Sequence, residues 1–271
     1  MSNNGNPKKV NLKNLFNQAH ADGDISQQSL KTLTVNADIG AQIQAGLGIA
    51  PDDVPAAEVV LVTQMPDDSG SIRFGGNAKA VRDGHNMVLD SLEQSRQMAD
   101  VLAHTRYLNG DVLFPYRQLA DAIRMTTKNY DPCHGTPLYD QTAVLLGTVL
   151  AKAKEFEDNG VPARTVTLLI TDGADMHSHQ QTAASVRSLV DDMQRSENHI
   201  VAALGIDDGS TSFEDVFKEM GIRQEWILTP KSSATEIRRA FQVFSQSVVR
   251  ASQTAVGFSQ TALAGFTAGI N

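Results

Sequence analysis

Cys133 is the only cysteine in 271 residues, so no internal disulfide framework exists and nothing calls for an oxidising compartment. Basic residues are scarce, 23 Lys and Arg against 31 Asp and Glu, for a net charge of -8. That balance argues against a nucleic-acid or anionic-membrane surface, both of which need basic patches. No window approaches the ~20 apolar residues of a membrane-spanning helix. The polar, Asn-rich start from Met1 to Lys9 lacks the apolar core of a signal peptide. A cytoplasmic protein is the expectation. Enzyme signatures are missing too. No Gly-x-x-x-x-Gly-Lys-Ser/Thr loop occurs, and Gly75-Gly76-Asn77-Ala78-Lys79 has neither its spacing nor its hydroxyl. Ser69 is no nucleophile elbow, because Asp67 occupies the first glycine position. No Gly-x-Gly-x-x-Gly follows the first apolar run, which argues against a dinucleotide.

With 41% hydrophobic and 20% charged residues, the chain can bury a core. From residue 58 onward, short apolar runs alternate with helix-period segments, the pattern of a parallel α/β sheet. Strands are expected at 58–63, 101–108, 111–114, 164–171, 199–206 and 225–228. Asn109-Gly110 is a hairpin signal, so the third strand should be antiparallel and at an edge. The predicted fold class is α/β, a doubly wound, mostly parallel six-stranded sheet with one antiparallel edge strand. One helix presents Leu138, Thr142, Leu145, Val149, Ala153 and Phe156 on one face and ends at Asn159-Gly160. The last, 233–251, opens with the capping box Ser233-x-x-Glu236 and packs by Ile237, Phe241, Phe244 and Val248. Packing by one stripe would let it slide along the sheet.

Three regions are expected: a helical N-terminal extension and linker (1–55), the α/β domain (56–251) and a C-terminal tail (252–271), either loose or docked. Asp22-Gly23-Asp24-Ile25-Ser26 shares the turn of a calcium loop. Yet Gln18, His20 and Ser29 stand where acidic ligands belong, so a plain acidic helix–turn–helix is the better reading.

The chemistry concentrates in Asp67-Asp68-Ser69-Gly70-Ser71, just past Val59-Val60-Leu61-Val62. Thr136 in Gly135-Thr136-Pro137 opens a helix, and Asp172 follows the run Val166–Thr171. Each has an ordinary explanation alone: Asp67 and Ser69 as turn caps, Thr136 as an N-cap, Asp172-Gly173 as a turn. Together they deliver two carboxylates and three hydroxyls to the carboxyl ends of strands, where doubly wound sheets bind ligands. Oxygen donors with few carboxylates suit Mg2+, with Mn2+ or Ca2+ as substitutes.

Asp67-x-Ser69-x-Ser71, Gly135-Thr136-Pro137-Leu138 and Thr171-Asp172-Gly173 resemble the metal-ion-dependent adhesion site of von Willebrand factor type A domains, in the bacterial intracellular style. The resemblance covers roughly residues 57–251 and includes the stretch Ser212–Ile222. It implies a Rossmann-like fold, with Ser69, Ser71 and Thr136 binding the metal directly or through water and Asp67 and Asp172 mainly through water. It also implies metal-dependent recognition of a protein partner presenting Asp or Glu, without catalysis. Ring-forming ATPases are among the partners of similar domains, whose last helix moves in some members. Gln64-Met65-Pro66 departs from the pattern, since a proline before Asp67 should end the strand early. Two other readings stay open: a metal-dependent hydrolase using His134 or His177, and a structural assembly subunit. Cys133, His134, His177 and His179 could form a second, softer site for zinc. His85, four residues after Val81 on an apolar helix face, reads as a core histidine bonded to backbone.

Overall fold

The computed structural model describes residues 10–95 and 101–267. The polar start, Met1 to Lys9, and the end of the tail from residue 268 lie outside the described residues.

The near-continuous apolar runs become a six-stranded sheet: β1 Val59–Pro66, β2 Val101–Arg106, β3 Val112–Gln118, β4 Ala163–Thr171, β5 His199–Gly205 and β6 Ile227–Leu228. Its order is β3-β2-β1-β4-β5-β6, with β3 antiparallel to β2 and every other pairing parallel. Every residue of β1 and β4 is buried, as continuous apolar strands require when helices cover both faces. The hairpin falls where Asn109-Gly110 predicts, Gly110 taking φ +102°. β2 is shorter than expected because Tyr107 already belongs to the turn, its N–H donating to the Asp111 carbonyl. β3 runs on through Pro115, which an edge strand tolerates. The last strand keeps only two residues, since Gln224–Trp226 coils into a 3-10 turn.

Pro66 does not end β1 early. It stays in register with Ile170, and its carbonyl accepts the Leu108 N–H. Only the missing proline N–H is lost from the ladder.

Helices α1 (Leu12–Asp22), α2 (Gln27–Leu33) and α3 (Ala37–Leu47) precede the sheet, and α4 (Asn77–Glu93) and α5 (Leu138–Asp158) follow β1 and β3. Then come α6 (Ala183–Arg195), α7 (Phe213–Glu219), α8 (Ala234–Gln253) and α9 (Ala255–Ala264). The extension is no appendage. Phe16, Ile25, Leu33, Ile39, Ile43 and Leu47 lie in the same core as the sheet. The predicted stripe of α5 is buried, and so are Val144, Leu146, Gly147, Thr148 and Lys152 outside it. One side of this helix meets the sheet and the other meets the extension. A Cβ on Gly147 would lie 2.6 Å from Leu33 Cδ2 and 2.7 Å from Ile43 Cδ1. The acidic turn is the plain one: Gly23 caps α1 at φ +85°, and Lys154 pairs with Asp22 and Asp24 at 3.0 and 3.4 Å.

Ser233 caps α8 by accepting the Glu236 N–H at 3.3 Å. Sliding of α8 meets two obstacles. The Phe241 ring fills the space a Cβ on Gly84 would occupy, 2.1 Å from that position. At the other end, Arg164 of β4 donates to the carbonyls of Ala251 (3.2 Å) and Thr254 (2.6 Å). The described part of the tail is docked: Phe258 and Phe266 are buried, and the Phe266 ring meets Trp226 edge-on at 4.8 Å. His85 is buried as expected but bonds to side chains, Thr105 Oγ1 at 2.9 Å and Asn86 Oδ1 at 3.1 Å. No helix among the described residues is long and apolar enough to cross a membrane.

Candidate metal centre

Strand register builds the site. Because Pro66 lies opposite Ile170, Asp67 leaves β1 beside the end of β4. There Thr171 Oγ1 donates to Asp67 Oδ2 at 2.7 Å and the Asp172 N–H donates to the same oxygen at 3.3 Å. Asp67 Oδ1 accepts the Ser69 N–H at 2.6 Å. The turn-capping role is therefore real for Asp67, but it spans two strands and not one turn.

The hydroxyls continue the chain of contacts. Ser69 Oγ lies 2.9 Å from Ser71 Oγ, which donates to Asp172 Oδ1 at 2.6 Å. Thr136 arrives from the other side. Cys133 and His134 donate their N–H groups to the Asp68 carbonyl, and Gly70 N–H returns to the His134 carbonyl, so this loop runs alongside Asp68–Gly70. A Cβ on Gly173 would sit 3.7 Å from Thr136 Oγ1, which places Thr136 against the Asp172 loop. Pro137, not Thr136, is the N-cap of α5, and no side chain caps that helix. The Thr136 hydroxyl is thus not spent on capping. All five predicted residues, Asp67, Ser69, Ser71, Thr136 and Asp172, converge on these three loops.

Four of the five are buried and Ser71 is exposed, so the cluster opens outward at Ser71. Burial pushes the Asp67 carboxyl above the usual carboxylate range and that of Asp172 to about 6. Among the described residues no lysine or arginine pairs with either acid. Two desolvated carboxylates without a cationic partner are costly in a folded core. Such a set fits a small divalent cation, which would supply the missing charge and accept the hydroxyl oxygens.

Three residues support the site through contacts the sequence did not foretell: Asp68 and Tyr130, and His177, which the sequence offered only as a catalytic or zinc candidate. Asp68 is buried, its carboxyl pushed to about 6, and its Oδ1 accepts the Asn109 N–H at 2.9 Å, tying the hairpin to the site. Tyr130 donates its hydroxyl to the Asp67 carbonyl. His177 Nδ1 accepts the Thr136 N–H at 2.8 Å. Nothing in the local sequence signals these, because each partner is distant along the chain.

His177 is thereby a positioning residue. With Nδ1 accepting, the neutral ring carries its proton on Nε2 and offers no lone pair there to a substrate. His134 Nε2 lies 3.9 Å from Asp68 Oδ2, beyond hydrogen-bond reach. Among the described residues no group of three or more His, Cys, Asp or Glu side chains could hold a metal. The second, zinc site that Cys133 and the histidines could have formed thus finds no support, and any metal here depends on the serine and threonine hydroxyls.

No family model matches the sequence, and no curated protein matches it. Solved structures do match in shape. The pilus adhesin SpaC from Lactobacillus rhamnosus GG, in its open conformation, is 16% identical with a TM-score of 0.53, over 72% of this chain and 30% of that one. Proximal thread matrix protein 1 from the mussel byssus is 16% identical with a TM-score of 0.51, over 71% of this chain and 47% of that one. The matched region is therefore less than half of either protein. The VWA domain of SpRpn10 is matched at 9% identity, TM-score 0.46, over 70% of this chain and 95% of that one. Its sheet order and single antiparallel edge, shared in shape with the adhesin and the thread matrix protein, give the chain the doubly wound von Willebrand factor A fold, to which the helical extension packed on α5 is an addition.

Proposed function

We propose that this chain is a divalent-metal-dependent protein-interaction module, not an enzyme. The observation that carries the reading is the pair of buried carboxylates, Asp67 and Asp172, joined through Ser69 and Ser71 and lacking a cationic partner. Asp67, Ser69, Ser71, Thr136 and Asp172 would hold Mg2+, with Mn2+ or Ca2+ as substitutes. Bound there, the ion would supply an electrophilic position for a carboxylate from a partner's Asp or Glu. With Asp67 and Asp172 acting mainly through water, as the resemblance implies, its direct protein ligands would be neutral hydroxyls, and the exposed Ser71 side is where a partner would approach. A cytoplasmic adaptor for a ring-forming ATPase is the partner class this reading favours.

Metal should stabilise the native state. At ten times the dissociation constant the gain is about 1.4 kcal/mol, or roughly 2–4 °C in melting temperature for a chain of this size. The shift is expected to vanish in Asp67→Ala and Asp172→Ala, and an undiminished shift in both variants would refute the assignment. Without metal the sign reverses for Asp172→Asn. The raised carboxyl of Asp172 binds its proton more tightly folded than unfolded, so its stabilising contribution is complete below pH 3.8 and lost as pH rises through about 6. At pH 7.5 in chelator, Asp172→Asn should therefore melt higher than wild type, with the advantage shrinking towards pH 5. For the same reason the metal shift of wild type should fade below pH 6, where protons compete for Asp172. Differential scanning fluorimetry across pH, with Mg2+ and with EDTA, reads both effects.

A further inference from the structure

Among the described residues only six large hydrophobic side chains are exposed. Two of them, Phe74 (75%) and Met176 (78%), stand on the loops that Ser71 and Asp172 join. Isolated exposed apolar residues are ordinary, but these two lie three and four residues beyond Ser71 and Asp172, whose side chains are bonded to each other. Both backbones are held. Phe74 is extended (φ -78°, ψ 158°) and precedes Gly75 and Gly76 at φ +63° and +83°. Its carbonyl accepts the Asn77 N–H at the start of α4. This double-glycine kink turns the chain into α4 and leaves the ring outside. Met176 donates its N–H to the Thr136 carbonyl at 3.1 Å, so its position follows that of a site residue. The held backbones fix where both side chains start, so binding must order only the side chains themselves.

We infer that Phe74 and Met176 form an apolar rim beside Asp67, Ser69, Ser71, Thr136 and Asp172. The partner segment is then an Asp or Glu flanked by apolar side chains. The inference rests on the metal-dependent reading above. The polar centre takes the carboxylate, while the rim covers its neighbours and excludes water, which strengthens a charge-assisted contact. An acid flanked by small polar residues would leave both rim side chains wet.

The test uses labelled short peptides with one central Asp, flanked on both sides by Leu or by Ser, titrated against the full chain in Mg2+ and in EDTA. The Leu-flanked peptide should bind about tenfold tighter in Mg2+, the effect of partly burying two apolar side chains. EDTA should abolish binding of both. Phe74→Ser combined with Met176→Ser should erase the tenfold difference while leaving the metal-induced melting shift unchanged, since both side chains are exposed. Equal affinity for the two peptides, with metal dependence intact, would overturn the rim and spare the metal reading. Binding indifferent to EDTA, or no Mg2+-dependent binding of either peptide, would overturn both.

Discussion

A chain that begins at residue 56 is expected to lose cooperative folding. The α/β unit is complete from there on by strand and helix count, so this outcome is not what a domain boundary at 55 implies. The reason is α5. Its side away from the sheet is covered by Leu33, Ile43 and Gly46, and a Cβ on Gly46 would lie 2.6 Å from Thr148 Cγ2. Truncation would strip apolar cover whose side chains each contribute about 1.5–3 kcal/mol when buried, against a net stability of only about 5–15 kcal/mol. It would also take hydrogen-bond partners away from buried polar groups. Buried Lys152 donates to the Ile49 carbonyl, the Ile49 N–H donates to the Tyr116 carbonyl of β3 at 2.8 Å, and Arg106 reaches the Gln42 carbonyl at 3.5 Å. Circular dichroism melting and size-exclusion chromatography of residues 56–271 provide the check. A monomer with a sharp transition close to that of the full chain would show the extension to be dispensable. The single substitution Ile43→Ala, which removes one fully buried side chain, should cost about 2–5 kcal/mol.

Gly84→Ala should destabilise the protein, although alanine is the better helix former by about 1 kcal/mol. Gly84 lies inside α4, where that propensity gain would prevail if the position were exposed. Instead the Phe241 ring rests on it. Adding the methyl must push a fully buried aromatic off its seat, an overpacking cost of about 1–3 kcal/mol or more. Phe241→Ala should cost about 3–5 kcal/mol by leaving a cavity between α4 and α8. In the double variant the two effects should fall well short of additive, because the alanine at 84 partly fills the space that Phe241 leaves. Urea denaturation of the four proteins gives the coupling. Additive losses would mean the two helices do not interlock here, and would return α8 to an element free to slide.

The sheet was legible because its cause is local. Buried parallel strands read as near-continuous apolar runs, and Val59–Val62 and Val166–Ile170, interrupted only by Thr167, show that without any tertiary knowledge. Asn109-Gly110 sets its hairpin through the glycine's left-handed conformation, which is a property of one residue. That the five oxygen-bearing residues meet at one end of the sheet was legible for a related reason: residues just beyond apolar strands, and Thr136 just before α5, are brought there by the fold class alone. Misreadings arose where a single residue's preference met a pairing already made. Pro66 was expected to break β1, but an N–H missing from one position does not undo a ladder paired with β4 along its length.

What only the tertiary structure decided is everything that depends on partners far apart in the chain. The stripe on α5 was visible, whereas burial of its opposite side was not, because the covering residues lie about a hundred positions earlier. The Asp67–Thr171 and Ser71–Asp172 bonds follow from one strand register, which no local pattern encodes. Asp68, Tyr130 and His177 support the site through contacts of the same long reach. The sequence determined which chemistry is present and at which end of the sheet. Packing decided which carboxylates lose their water.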